Sequence, residues 1–148
     1  MAALFFSSVF YKNCKGAIMN FGAVRFKVSC LKTLTAVEAD PDRSNQHEFN
    51  GVKELKYLFG EKRFSAAATF SVRGSATSCE TSITWYDARE AHPSRTEHRL
   101  YFKTNIVMEQ AEEGDNIVVG YDTNDRLNFV LLKKQAPDHV VHNSWARL

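Results

Sequence analysis

Apolar and polar residues alternate along much of this chain, and the alternation predicts a protein built mainly from β-strands. In the first clear example every second residue is apolar: Val24, Phe26, Val28 and Cys30. Successive side chains of a strand point to opposite faces, so this period of two predicts a half-buried strand over 25–34. The same pattern predicts strands at 67–73, 80–87, 97–103, 116–121 and 126–132. The last two flank Asp122-Thr123-Asn124-Asp125, which predicts a hairpin.

Two short helices are predicted between these strands. Residues 50–60 carry apolar residues at helical spacing, with Asn50 as the expected N-cap and Gly60 at the position after the helix. Residues 106–113 form the second candidate, which Gly114 would end. With an apolar strand or arm near the N terminus, at 1–10, the total is about seven strands without βαβ alternation, which favours a barrel or pseudobarrel.

Two stretches lack a regular pattern. Residues 35–50 are predicted to form a long polar loop, and long loops inside compact domains are often functional. The tail at 136–148 is polar apart from a few residues such as Trp145, and we expect it to be the edge of a larger protein. The 148 residues suffice for a single domain spanning 1–148.

Composition adds expectations about location and partners. The net charge of +2 does not by itself identify a nucleic-acid partner, because such binding depends on how the charge is clustered. Three cysteines without metal-ligand spacing are typical of reduced thiols, so we expect a cytoplasmic protein. The apolar run at 2–6 is too short for a membrane span. No self-complementary apolar patch is evident, so we expect a monomer that does not bind membranes.

The segment 84–103 carries the most distinctive chemistry. It contains three arginines, two histidines, one lysine and two glutamates around a strand–loop–strand junction. One face of its second strand should carry Glu97, Arg99, Tyr101 and Lys103. Arginine donates to guanine O6 and N7, whereas glutamate accepts from the cytosine amino group. A surface that binds only phosphates has no use for the glutamate, so the mixture favours reading of base edges over a solvated hairpin of charge pairs.

This segment resembles the N-terminal effector domain of EcoRII-type restriction endonucleases. That family carries an aromatic-Tyr-(Asn/Asp)-(Ser/Ala)-Arg stretch followed by Arg-x-Glu-x-Arg. The corresponding residues here are Trp85-Tyr86-Asp87-Ala88-Arg89 and Arg95-Thr96-Glu97-His98-Arg99. The chain departs from the family at His98, where lysine is expected, and in the dissimilar first arm. In addition, Gly114-Asp115 followed by an apolar strand is similar to an element of the wider plant B3-like superfamily.

The resemblance implies a B3-like DNA-binding pseudobarrel that inserts two arms into the major groove of double-stranded DNA. It would be the target-recognition domain of a type II restriction endonuclease, within a restriction–modification system. The implied base-reading residues are Arg95, Glu97, His98, Arg99, Asn45, Gln46 and His47. For a domain of this kind we expect phosphate contacts from Lys27, Lys32, Arg73, Arg89, Ser94 and Lys103. Binding would need no cofactor, since Mg²⁺ would serve only a separate catalytic domain. The DNA target sequence, CCWGG-like or another, stays open.

Two other functions remain alternatives. Pro41-Asp42 followed by Glu54-Leu55-Lys56 matches the loose pattern of a small Mg²⁺-dependent nuclease that uses Asp42, Glu54 and Lys56. Such a site requires neighbouring strands, however, and Glu54 and Lys56 fall in a predicted helix. A B3-like protein-interaction module could use the same loops on an acidic partner. His139 and His142 have a spacing of three, but no further ligand completes a metal site.

Overall fold

The computed structural model describes residues 19–21, 24–40 and 48–148. The strands in this part of the chain are β1 (Met19–Phe21), β2 (Val24–Thr33), β3 (Glu48–Asn50), β4 (Phe64–Val72), β5 (Ser78–Asp87), β6 (His98–Phe102), β7 (Asn116–Asp122), β8 (Leu127–Leu132) and β9 (Ala146–Arg147). The helices are α1 (Ala36–Ala39), α2 (Lys53–Phe59) and one turn of 3₁₀ helix, η1 (Met108–Gln110).

All these strands belong to one sheet with the order β1-β2-β7-β8-β4-β5-β6-β3, and β9 pairs with β2. Every pair is antiparallel except β4 and β8. Phe49 of β3, at one end of the sheet, meets Trp145 beside β9, at the other end, edge to face with ring centroids 5.6 Å apart. The sheet therefore curls on itself, which confirms the predicted mainly-β pseudobarrel. Six of the seven predicted strands correspond to described strands, and the predicted strand or arm at 1–10 lies outside the described residues. The three further strands, β1, β3 and β9, are too short for a period of two to reveal them.

The curled sheet encloses an aromatic core. Trp85, Phe70 and Phe129 are fully buried, and the last two rings stack at 4.3 Å. A second, smaller cluster forms around Phe26 on the other side of β2. The pairing of β2 with β7 is irregular between Phe26 and Val28. Cys30, which follows this irregularity, packs in the main core. Phe26 and Cys30 therefore face opposite sides, although strict alternation predicted one side for both.

The predicted first helix exists, but it begins later than expected. Asn50 is not the N-cap, because it ends β3 opposite Arg99, and α2 begins after Val52. Gly51 connects strand and helix where a Cβ would lie 2.6 Å from the Trp85 ring and 2.7 Å from a backbone oxygen, so a side chain there would clash. Gly60, with φ of +76°, ends the helix as predicted.

The other helical expectations are corrected. Only the single turn η1 forms within 106–113, where Asn105 Oδ1 accepts hydrogen bonds from the amides of Val107 and Met108. The predicted polar loop at 35–50 begins with α1, held by a reciprocal capping box between Thr35 and Glu38. The described part of the chain contains no helix with the length and apolar character needed to cross a membrane.

The tail packs into the fold instead of forming a free edge. Trp145 is buried, and β9 pairs with Cys30 and Leu31 of β2. Earlier in the tail, Asp138 forms an ion pair with Arg73 at a nitrogen–oxygen distance of 2.9 Å, and both side chains are almost entirely buried. The tail thus covers one edge of β2 and contributes to the core.

Candidate nucleic-acid interface

The strands β4, β5, β6 and β3 share an exposed face that is lined with polar side chains. Tyr86 pairs with Arg99, which pairs with Asn50, and Arg63 extends this row one position before β4. The next row runs through Ser65, Thr84, Tyr101 and Glu48, and a third through Ala67, Ser82 and Lys103. We call this surface the outer face. Neighbouring strands lie about 4.8 Å apart, so a row of four spans roughly 14 Å.

The outer face is exposed because the alternate residues of the same strands point into the core. Trp85 and Ile83 of β5, and Leu100 of β6, are fully buried, so the residues between them must point outward. The predicted shared face of Glu97, Arg99, Tyr101 and Lys103 is therefore confirmed: each is exposed or partly exposed.

Residues 88–97 extend from one end of this face as a folded arm, and we refer to them as the arm. Asp87 organises its base, because Oδ1 accepts the amide hydrogens of Arg89 at 2.9 Å and Glu97 at 2.8 Å. These two hydrogen bonds lower the pKa of Asp87 below its usual value. At the tip, His92 Nδ1 accepts the amides of Ser94 and Arg95 at 3.2 and 3.1 Å. The arm is thus shaped by its own side chains while remaining exposed.

A carboxylate lies between two guanidinium groups where the arm joins β6. Glu97 Oε2 is 3.2 Å from Arg89 Nε and 3.4 Å from Arg99 NH2. Arg99 also lies 3.6 Å from Oε1 of Glu48, and the other oxygen of Glu48 accepts a hydrogen bond from Tyr86. We call these five residues the charge cluster.

The charge cluster alters two ionisation equilibria. Burial opposes the positive charge of Arg99, but the carboxylates of Glu97 and Glu48 outweigh it and raise the pKa of Arg99. Burial, together with the hydrogen bond and charge of Glu48, raises the pKa of Tyr86. Arg99 is therefore charged and Tyr86 is neutral at physiological pH, so the tyrosine hydroxyl keeps its proton as a donor.

The structure brings together only some of the predicted site residues. Arg89, Ser94, Arg95 and Glu97 lie on the arm, and Arg99 and Lys103 lie on the outer face. Arg95 and Lys103 are exposed, and their side-chain charges have no ion-pair partner among the described residues. Asn45, Gln46 and His47 lie outside the described residues. The chain re-enters at Glu48, beside Tyr101, so it joins the outer face near the end of β6 opposite the arm.

His98 does not take the predicted base-reading role. Its side chain is 3% exposed, its ring stacks on Trp85 at 5.1 Å, and Nε2 lies 2.9 Å from the carbonyl oxygen of Glu61. The alternation of β6 explains this position, because His98 shares the inward face with Leu100. A buried ring without access to solvent cannot reach a base edge, so His98 serves the packing of this region.

Three predicted phosphate contacts also lie elsewhere. Lys32 is paired with Glu38 at 2.6 Å, and Arg73 with Asp138, and the side chains of both cations are only about one-tenth exposed. Lys27 is about half exposed, but it forms an ion pair with Asp125 and belongs to β2, a strand that does not neighbour the outer face. The first two cations are neutralised inside the fold, so neither is available to a phosphate.

Sequence reasoning missed three contributors to this surface: Glu48, Asn50 and Arg63. Glu48 and Asn50 belong to a strand of three residues, which is too short to show a pattern. Arg63 carried a usable signal, since it falls in phase with Ser65 and Ala67 on the exposed side of β4. Its guanidinium lies over the Tyr86 ring, 5.6 Å from the centroid.

The residues of the alternative nuclease site are not arranged for metal chemistry. Glu54 and Lys56 lie on α2, as predicted, where residues two apart project roughly 200° from each other. Asp42 lies outside the described residues. His139 Nε2 is 2.6 Å from the carbonyl oxygen of Gly114, so this imidazole contacts the backbone.

Comparison of the sequence with protein-family models gave no match, and comparison with curated proteins gave none either. The resemblance to EcoRII-type effector domains therefore remains a prediction that rests on the residues of the arm.

Proposed function

We propose that this chain recognises a short sequence in double-stranded DNA through the major groove, as the target-recognition domain of a type II restriction endonuclease. The arm and the outer face would form the contact surface. No metal would take part in binding, and cleavage would require a separate catalytic domain.

The observation that carries this proposal is the position of Glu97 between Arg89 and Arg99. All three side chains are partly exposed, at 38, 47 and 28%. On a surface that bound only phosphates, a carboxylate at this point would weaken binding. On a base-reading surface, the carboxylate accepts from cytosine N4 while the guanidinium of Arg99 donates to guanine. The two arginines also fix the orientation of Glu97 before DNA arrives, which lowers the entropic cost of binding.

The dimensions of the arm support a duplex partner. A major groove about 12 Å wide admits a two-stranded β-ribbon. The arm is such a ribbon at its base, because the Ala88 amide donates to the carbonyl oxygen of Glu97 at 2.8 Å. The arm and the adjoining end of β6, with Arg99, would enter the groove, and the rest of the outer face would meet the adjoining backbone.

The roles follow from exposure and charge. Arg95, Glu97 and Arg99 would read base edges, with Asn45, Gln46 and His47 as the expected second arm. Arg89, Ser94 and Lys103 would contact phosphates and set the register. His98, Lys32 and Arg73 are withdrawn from the predicted set because they are buried.

The direct test is a binding selection from randomised duplex DNA at near-physiological salt without divalent metal. We expect enrichment of one short motif, bound at least about 10³-fold more tightly than a scrambled duplex. Bulk binding without an enriched motif, or no binding, would contradict the proposal.

The same samples separate the alternatives. Metal-dependent cleavage of the duplex by this chain alone would instead indicate a nuclease. Binding that is indifferent to DNA sequence, or confined to acidic proteins, would indicate an interaction module.

A further inference from the structure

A second cationic segment lies directly beside the arm. The turn Gly60-Glu61-Lys62-Arg63 connects α2 to β4, and all four residues are exposed. Arg63 precedes Phe64, which pairs with Trp85, so the turn lies next to the end of β5 from which the arm departs. The sequence alone assigned no role to this turn, which we call the cationic turn.

Two buried rings hold the cationic turn against the base of the arm. Trp85 Nε1 donates to the carbonyl oxygen of Gly60 at 2.9 Å, and His98 Nε2 contacts that of Glu61, also at 2.9 Å. The two rings stack on each other and flank the arm, since Trp85 and His98 precede and follow residues 88–97. Two backbone carbonyls of the turn thus contact side chains of β5 and β6, which link the turn to the base of the arm.

The Arg63 side chain lies on the same side as the charge cluster. Arg63 lies over the ring of Tyr86, whose hydroxyl donates to Glu48 on the outer face. Tyr86 is in turn the cross-strand partner of Arg99. Lys62 is exposed and forms no ion pair within the described part of the chain. Arg63 therefore extends the row of Tyr86 and Arg99, and the exposed Lys62 precedes it in the turn.

We propose that the cationic turn binds the DNA phosphate backbone beside the groove that the arm enters, with Lys62 and Arg63 each contacting a phosphate. These contacts replace the phosphate contacts that the buried Lys32 and Arg73 cannot provide. They place the arm without reading sequence, because phosphates are the same at every base pair. This inference rests on the proposed DNA-binding function and assigns a further part of the same interface.

The test compares single variants of the whole chain on the selected duplex and on a scrambled duplex, over a series of salt concentrations. Lys62→Ala and Arg63→Ala should each weaken binding to both duplexes about fivefold at 0.15 M salt, the counterion-release contribution of one phosphate. Each should make the slope of log K against log salt shallower by about one. Their ratio of selected to scrambled affinity should stay that of the wild type.

Two further variants serve as controls. Glu61→Gln removes a negative charge from the same turn and should tighten binding to both duplexes. Lys134→Ala removes an exposed lysine that follows β8, a strand not adjacent to β5 or β6, and should change neither affinity nor salt slope. Thermal unfolding of each variant verifies that the fold is retained.

The outcomes separate this inference from the proposed function. If the wild type selects a motif but Lys62→Ala and Arg63→Ala behave like Lys134→Ala, the cationic turn is not part of the interface and the proposed function stands. If either variant changes the ratio between the two duplexes, it reads sequence, and the phosphate assignment is wrong. If the wild type binds no duplex, both proposals fail together.

Discussion

Two carboxylates, Glu97 and Asp115, both have cationic neighbours but differ in burial. Glu97 is partly exposed between two arginines, so it can exchange these partners for a base edge. Asp115 is fully buried; it accepts the amides of Glu112 and Lys134 at 2.8 and 3.0 Å and the ammonium of Lys133 at 2.6 Å. Burial, more than residue type, therefore leaves Glu97 available for the proposed binding and commits Asp115 to the fold.

Replacing Glu97 should affect specificity more than affinity. Glu97→Ala removes the acceptor for a cytosine amino group, so we expect the preference for the selected duplex to fall by about 1–3 kcal/mol. Affinity for a scrambled duplex should rise slightly, because Arg89 and Arg99 lose their competing carboxylate. Fluorescence anisotropy on both duplexes measures this. Glu90→Ala, on the same arm but without a side-chain ion pair among the described residues, is the matched control; equal effects of the two variants would refute the assignment.

Variants of Asp115 and of its neighbour Glu112 should differ in the free energy of unfolding. Asp115→Asn leaves buried amide donors and Lys133 without their charged acceptor and should lower the free energy of unfolding by about 2–4 kcal/mol. Glu112→Gln removes an exposed partner of the same lysine, at 2.9 Å and 63% exposed, and should change stability little. Urea denaturation of both variants, with equal m-values, tests this. A loss for Glu112→Gln as large as that for Asp115→Asn would contradict the role of burial.

At the scale of elements, two strand connections share one device. Asp87 holds the arm by accepting the amides of Arg89 and Glu97. Asp122 holds the β7–β8 turn in the same way, with Oδ1 accepting the amides of Asn124 and Arg126 at 2.8 and 2.9 Å. In that turn Asp125 adopts φ of +61°, the left-handed conformation typical of tight turns. A carboxylate that closes its own loop explains how exposed connections hold one shape.

The matched pair Asp87→Ala and Asp122→Ala tests whether the shape of the arm matters for binding. Both should accelerate amide hydrogen exchange in their own loop, but only Asp87→Ala should weaken binding to the selected duplex. Equal binding by both variants and the wild type would show that the arm needs no preorganisation.

The lowered pKa of Asp87 predicts a pH dependence for the wild-type arm. Because the folded-state pKa lies below the unfolded value, the stabilisation is fully present above the unfolded pKa. It is lost as the pH falls through the folded pKa. Amide exchange in the arm, corrected for its intrinsic pH dependence, should therefore increase only in the acidic range. Asp87→Ala should lack this step.

At the scale of the whole molecule, aromatic contacts across the two ends of the sheet hold the pseudobarrel closed. Phe49 contacts Trp145 and also lies 5.3 Å from the ring of Phe102. Phe49 belongs to β3, which carries Glu48 and Asn50 onto the outer face. The tail therefore stabilises a strand of the proposed interface, although it lies far from that strand in sequence.

Removing this contact should be costly. Trp145→Ala leaves a large cavity between the ends of the sheet and should lower the free energy of unfolding by about 3–5 kcal/mol. Leu148→Ala, three residues later and 39% exposed, should change it by no more than about 0.5 kcal/mol. Chemical denaturation measures both. Equal stability of Trp145→Ala and the wild type would mean that the tail is not needed for closure.

The sequence by itself determined the strands longer than about five residues, the mainly-β class and the common outward face of Glu97, Arg99, Tyr101 and Lys103. These features depend on a period of two, which is a local property of each strand. The same period of two accounts for the buried position of His98, which shares the inward face of β6 with Leu100, although the family resemblance implied a place for it in the interface.

Only the tertiary structure decided which charges remain available. It paired Lys32 and Arg73 with acidic partners inside the fold, and it brought Arg63 and Glu48 to the outer face. Tyr86 is 38 positions from Glu48 and 23 positions from Arg63, so the strand register, which no local pattern determines, brings these side chains together. Register depends on the combined packing of both faces of the sheet, and no single segment contains that information.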